Sequence, residues 1–502
     1  MKRLFAVLLA ALMVTPLFTA CSESKENNDT PDTASPAASQ TGATETPSAE
    51  TEPEETEITR ENTPDSLPAD LNFDGVTLNI ISFGLENCQN YDCNGDLTGD
   101  VVLDAVYNRN ITVEDRLNVD LNFIAGSADW DGFPSEVNTV LQAGTDDYDM
   151  VIEESSRLFQ QSINGYYYDF KTLNYVDLEQ PWWYADMMEE SQIDNHKRYF
   201  LNGDICLTVL MGASTLYFNK PLFTNYFGDV NALYDAVLDG SWTYDKFAEY
   251  CRSVYTDTDG SGEADEGDIM GFRYEQWGIP NYLSMSNGLT YITRDEEGFP
   301  ILDIYTENGI KWGETLYSLL YTDNISMEGS KKDTFIRQTS LFYPGMFETA
   351  LELRDVEFDY GILPYPKLDE SLDYLCGAAT ANGCGVGIPV SANAARIDAS
   401  CASIEALCAE SYRKVVPAWY DTALKIKYSD ATIDSQMVDI IYDHINSPFI
   451  MMADKALDLG SIYTRAVYGS TNDGAFASYW ASNEKLIAKR VDKAIKSYKE
   501  LP

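Results

Sequence analysis

LQAGTDDYDMVI, residues 141–152, decides how the chain is read. An amphipathic pattern runs up to LQA and breaks at Gly144, the residue that most easily takes the left-handed conformation ending a helix. A short apolar run, YDMVI, follows after three polar residues, and its length and branched side chains fit a buried strand. Working outward, VTLNIISF (76–83) reads as another buried strand. A helical pattern from Asp100 to Leu117 follows it, and then a third strand, NVDLNFI. Strands that alternate with helices predict α/β units around a largely parallel sheet. After residue 180 the pattern changes. TLYFNKPLF reads as strand then helix, SWTYDKFAEYCRSVY as an amphipathic helix, and the last hundred or so residues as mainly helical.

The N-terminus is of a different kind. Lys2 and Arg3 precede an apolar stretch from Leu4 to Leu17, and the small residues Thr19 and Ala20 precede Cys21. This resembles a bacterial lipoprotein signal (1–21) in which Cys21 is diacylated, with Phe18 where such signals usually carry leucine. Residues 22–70 hold 13 acidic and 2 basic residues and no aromatic one. Such a composition cannot bury enough apolar surface to offset chain entropy, so a disordered tether is expected. The signal carries +2 and the tether −11, which leaves −38 on the body of a chain of net charge −47. That charge argues against nucleic acid and against anionic membrane surfaces, and favours a neutral or cationic ligand. Eight cysteines remain after Cys21. Cys88 and Cys93 flank a short polar loop and could pair. Cys401 and Cys408 sit about 10 Å apart along a helix, too far for a bridge.

DTDGSGEADEGD, residues 257–268, follows the SWTYDKFAEYC helix. Asp257, Asp259, Ser261, Glu263, Asp265 and Asp268 fall at positions 1, 3, 5, 7, 9 and 12, with Gly262 at 6. This is the ligand spacing of an EF-hand loop, with Asp in place of the usual Glu at the last position. Calcium is expected there, with side-chain oxygens from five of these residues and the backbone carbonyl of Glu263. Its role is expected to be structural, pinning the helix to the next strand.

Five segments in order carry a family resemblance: the first strand of the body, LQAGTDDYDMVI, LYFNKPLF, SWTYDKFAEYC and DVEFDYGILPYPK. Together they resemble the extracellular solute-binding proteins of ABC importers, family 1, the maltodextrin-binding-like class. The resemblance implies a two-lobed, periplasmic-binding-protein-like α/β fold with a hinge. Lobe one is expected at 71–203 plus 335–378, and lobe two at 204–334 plus 379–502. It further implies a monomeric receptor, lipid-anchored at the extracellular face of a Gram-positive-type envelope, that passes its ligand to the transmembrane subunits of an ABC permease.

Enzyme signatures are poor. The two histidines, His196 and His444, accompany no Gly-x-Ser-x-Gly elbow, no His-Glu-x-x-His and no phosphate-binding loop. With 81 acidic residues, a carboxylate pair of glycosidase type stays open as an alternative. Aromatic residues make up 12% of the chain. Rings with carboxylates suit a carbohydrate, and suit a polyamine, peptide or other cationic solute as the alternative. A surface glycan-binding lipoprotein without transport is a further alternative. Ligands of α/β lobes bind outside the carboxyl ends of strands. With the resemblance, this puts Gly84, Glu86 and Asn87, then Glu153, Glu154 and Arg157, on one wall of the cleft. Trp277 in YEQWGIPNY and Tyr343 in FYPGMFE are expected to answer from lobe two.

Overall fold

The computed structural model describes residues 58–276, 278–322, 324–378, 384–425 and 431–501. The signal, Cys21, the tether up to residue 57 and Trp277 lie outside the described residues. In chain order, β1 is Val76–Ser82, β2 Val119–Ala125, β3 Met150–Glu154, β4 Ser214–Asn219 and β5 Met270–Tyr274. β6 (Ile292–Arg294) and β7 (Pro300–Leu302) form a small hairpin. β8 is Ser326–Glu328, β9 Ser340–Met346, β10 Tyr360–Pro364, β11 Cys376–Gly377, β12 Cys384–Gly387 and β13 Ile445–Asn446.

The first sheet has the order β12-β3-β1-β2. β1 runs parallel to both neighbours, in register from Val76 opposite Val119 to Ser82 opposite Ala125. The crossover helices are set by local chemistry. Asp100 caps helix Val101–Leu117 by accepting from the Val102 and Leu103 amides, and Asn118 ends it at φ 49°. Gly144, at φ 66°, ends helix Gly132–Ala143 and returns its N–H to the Val140 carbonyl, as its place in the sequence predicts. The second sheet has the order β10-β4-β9-β5-β8. It is mixed: β5 is parallel to β8 and β9, whereas β4 is antiparallel to β9 and β10. Its core is aromatic. Trp242 is fully buried, meets Phe247 edge-on and Phe342 at a tilt, and donates its indole N–H to the Pro364 carbonyl at 3.1 Å. Trp182 and Trp183 are buried ahead of helix Ala185–Glu190.

Each sheet centres one lobe, and the division differs from the one expected. β9 and β10, within 335–378, pair in the second sheet, and β12 returns to the first through Cys384 opposite Glu154. The chain therefore leaves lobe one through residues 204–213 and, after β10, is back in it at β12. The helical C-terminal part serves both lobes. Helix Ile397–Glu410 packs on helix Val101–Leu117, and helix Asp454–Leu457 on Ser155–Ile163, both in lobe one. Helix Ala431–Asp443 packs on β10, and Ala475–Lys499 on Glu307–Tyr321, in lobe two. A strand covered on both faces is equally apolar in either sheet, so its partner cannot be read from its own pattern.

Two further expectations change. Residues 58–70 do not behave as tether: Leu67 is buried, and Asp65 accepts from Arg116 Nη2 at 2.7 Å. Cys88 and Cys93 do not pair, since both lie within the single π-helical segment Cys88–Cys93. All eight cysteines of the body are free and buried.

Candidate ligand-binding cleft

The carboxyl ends of β1 and β3 form one wall. Gly84 is obligatory there, because a Cβ would lie 2.1 Å from the Gly126 carbonyl oxygen. Ahead of it, Phe83 is buried and stacks on Phe133 at 5.2 Å. Trp130, from the loop after β2, meets Phe83 edge-on at 4.7 Å yet stays 46% exposed. Sequence reasoning applied the strand-end rule to β1 and β3 but not to β2, where SADWDGF offers this ring.

Arg157 projects next to the same loop. Its Nη2 lies 3.7 Å from Asp131 and its Nε 3.9 Å from Glu154, and that Nε is buried without a hydrogen-bond partner. Glu154 accepts from Ser156 Oγ at 2.6 Å and stands 4.0 Å from Lys455. Burial raises its carboxyl above the usual range, against the pull of Lys455. Glu153 faces the interior of lobe one. Gln161 Nε2 donates to it at 2.8 Å, and burial pushes it up to about 8. It supports the wall from behind and is not presented to a ligand.

Glu86 and Asn87 are exposed, and Asn87 reaches the other lobe. Asn87 Nδ2 donates to Glu348 Oε2 at 3.4 Å. Glu348 follows β9, and burial, then repulsion from Glu352, raises its carboxyl. Tyr282, on helix Ile279–Met285, is pushed up to about 12 by burial, with the carboxylates of Glu348 and Glu275 beside it. Asn281 of the same helix donates to Ser461 Oγ at 3.1 Å and accepts from Thr464 Oγ1 at 2.6 Å. Tyr343 is not on this wall. It is 2% exposed inside β9, its ring between Tyr217 and Phe335, because both faces of this sheet are covered. Glu348, five residues on, holds the strand-end position. The structure thus places Gly84, Glu86, Asn87, Glu154 and Arg157 at the strand ends of lobe one, with Trp130 and Lys455 nearby, and Tyr282 and Glu348 on the facing side of lobe two.

A cavity of about 990 Å³ is a separate feature. Helix Ala185–Glu190, residues 288–292 and the Asp373 and His444 neighbourhoods line it, and it shares no residue with the cleft walls.

The acidic loop lies in lobe two, between helix Tyr244–Val254 and β5. Paired hydrogen bonds between Thr256 and Ile269, 3.0 and 3.1 Å, close its base. Gly260 and Gly262 take φ of +74° and +77°, which turns their amides inward. Asp257 accepts from Gly260 and Gly262 N–H at 2.7 and 2.8 Å, and these amides, Gly262 first, hold its carboxyl below the usual range. Asp268 is fully buried and accepts from the amides of Thr258 and Asp265 at 2.9 and 3.0 Å. Carboxylate oxygens of Asp257, Asp259 and Asp268 come within 4.8 Å of one another. Ser261 Oγ instead donates to the Glu263 carbonyl at 2.9 Å, and Asp265 accepts from Gly267 N–H at 2.6 Å. The donor set is all oxygen, which is the chemistry of a hard divalent cation.

No protein-family profile and no curated protein matches the chain. Solved structures do match it in shape. The binding protein associated with an ABC transporter of B. animalis subsp. lactis Bl-04, in complex with beta-1,6-galactobiose, gives a TM-score of 0.51 at 12% identity. That match covers 83% of this chain and 98% of that one. UgpB from Mycobacterium tuberculosis, with glycerophosphocholine, gives 0.51 at 14% identity over 78% and 96%. The ABC substrate-binding protein Lmo0181 from Listeria monocytogenes, with cycloalternan, gives 0.50 at 11% over 82% and 99%. The chain has the two-lobed α/β fold of the ABC substrate-binding proteins.

Proposed function

We propose that this protein is an extracellular substrate-binding protein of an ABC importer, and that it captures a carbohydrate in the cleft between its lobes. One observation carries the reading. Trp130, a half-exposed ring braced by Phe83, stands beside Arg157 on one wall, while Asn87 meets Glu348 across the cleft. A sugar presents C–H faces that suit such a ring and hydroxyls that suit amides and carboxylates. A ligand that touches both lobes favours the closed form by its differential affinity, and the closed form is what a permease would recognise. Capture without turnover, as a monomer, is part of the proposal.

A thermal-shift screen of the purified body over mono- and oligosaccharides, with polyamines alongside, tests it. A saturable rise in Tm with a sugar, and no product on long incubation, is the expected result. A rise with polyamines alone would favour the second reading, a receptor for cationic solutes, which the carboxylates of Glu86, Glu275 and Glu348 around the cleft support. Turnover of the sugar would make the protein a hydrolase and sink the proposal.

Two further parts of the proposal concern placement and metal. Cys21 is the lipidated residue that holds the protein at the outer face of the membrane. Among the described residues no helix is long and apolar enough to cross one. The loop 257–268 binds Ca²⁺ structurally, with Asp257, Asp259 and Asp268 as the carboxylates already gathered.

A further inference from the structure

The segment at residues 58–67, where the chain from Cys21 joins the body, sets a partly buried cation among rings. The guanidinium carbon of Arg60 lies 4.1 Å from the ring centre of Tyr412, 4.9 Å from that of Tyr442 and 5.8 Å from that of Tyr420. Nη2 donates to the Tyr442 hydroxyl at 2.8 Å, and Nε to the Tyr412 carbonyl at 3.0 Å. Behind the rings lies Asp204, fully buried, with Oδ2 4.0 Å from Nη2. Its carboxylate also accepts from the hydroxyls of Tyr184, at 2.8 Å, and Tyr442, at 3.3 Å.

The parts come from both lobes. Tyr412 sits in the π-helical turn Ser411–Val415, packed on helix Val101–Leu117 of lobe one. Tyr442 sits on helix Ala431–Asp443, packed on β10 of lobe two. Asp204 opens the crossing between the lobes. We propose that Tyr412, Tyr420, Tyr442 and Asp204 form a guanidinium-binding cage. The chain fills it with its own Arg60, and so latches residues 58–67 across the crossing.

The chemistry selects a guanidinium. Ring faces attract a cation, a planar fork can stack on one ring while donating to a neighbouring hydroxyl and carbonyl, and the buried carboxylate balances the charge. An ammonium has neither the plane nor the fork. The rest of the arm follows Arg60 down: Arg413 donates to the Thr63 carbonyl at 2.8 Å, and Ser66 Oγ to Glu405 at 3.3 Å. Without Arg60, Asp204 becomes a buried carboxylate lacking its cation, which is costly. The emptied cage should therefore take an alkylguanidinium from solution.

The test uses the mature chain. In Arg60→Ala, amide hydrogen exchange over 58–67 should become about tenfold faster, as loss of a cation–π and charge-assisted contact implies, while exchange in β1 and β3 stays unchanged. Ethylguanidinium at millimolar concentration should then raise the Tm of the variant saturably and leave the wild type unmoved. Arg60→Lys keeps the charge and folds under milder strain, and its arm should also exchange faster than wild type. Wild-type protection of 58–67 in either variant overturns the proposal. So does ethylguanidinium that stabilises both proteins alike, or neither.

Discussion

Trp130→Ala removes a ring that the lobe-one wall holds out to solvent. A tryptophan side chain offers up to about 250 Å², and 46% of this residue is exposed. A sugar lying on one face would cover about half of that exposed part, roughly 55 Å². At about 25 cal/mol per Å², the lost contact is worth about 1.4 kcal/mol, or about tenfold in Kd. The cost to the unliganded fold should be small. The main interior contact of the ring is its edge on Phe83, and such a pair contributes about 1 kcal/mol, a Tm change of about 3 °C or less in a protein of this size. Calorimetric titration of the sugar found by the screen, with a melting curve of each unliganded protein, reads both quantities. Trp130→Phe keeps a smaller ring and should fall between wild type and alanine. Unchanged affinity in Trp130→Ala would remove the ring from the site and with it the observation on which the carbohydrate reading rests. A large drop in Tm would mean that Trp130 is packing.

Glu153 is pushed up to about 8 in the folded protein, above its value of about 4.3 when unfolded. The folded state then holds the proton more tightly, so this residue's contribution to stability is present below about pH 4 and is lost as pH rises through about 8. Glu153→Gln should flatten that decline and be more stable at pH 8 by up to about 4 kcal/mol; an equal loss of stability between pH 5 and pH 8 in both proteins, read from denaturation curves, would refute it. For the loop, a calcium chelator should lower Tm without abolishing sugar binding, and Asp257→Ala should remove the calcium dependence of Tm. Calcium-dependent stability that survives in Asp257→Ala places the metal elsewhere. Cys21→Ser should release the protein from the cell envelope into the medium, and retention of the variant would show that another feature anchors it.

Local chemistry was legible in the sequence, and long-range pairing was not. Gly144 ends its helix, and the alternation of β1, β2 and β3 with helices gives the parallel part of the first sheet, because caps and apolar periods act over a few residues. The loop at 257–268 draws the carboxylates of Asp257, Asp259 and Asp268 within 4.8 Å of one another for the same reason. The assignment of β9 and β10 to lobe two depends on partners more than a hundred residues away, and nothing in either strand distinguishes one buried sheet from another. Arg60 shows the limit most clearly. In an acidic segment without aromatic residues it reads as one solvated charge, yet its hydrogen-bonding partner Tyr442 stands 382 residues later.

The cleft has the same character, and this bears on how it would work. Asn87 of lobe one meets Glu348 of lobe two at a separation of 261 residues. Strand-end reasoning finds the first member of such a pair, because the loop after a strand is a local fact. It cannot find the second, which arrives by way of the crossings. In a two-lobed receptor these second members matter most. Only groups whose distance to the ligand changes as the lobes approach can supply the differential affinity that favours the closed form. On the function proposed, Trp130 and Arg157 stand on one wall and would contribute to affinity in either form. Glu348 and Tyr282 belong to the other lobe, so their contacts with a ligand held on the first wall form only on closure. Substitutions at Glu348 are therefore expected to change how readily the lobes close on bound sugar, and substitutions at Trp130 how tightly the open form first holds it.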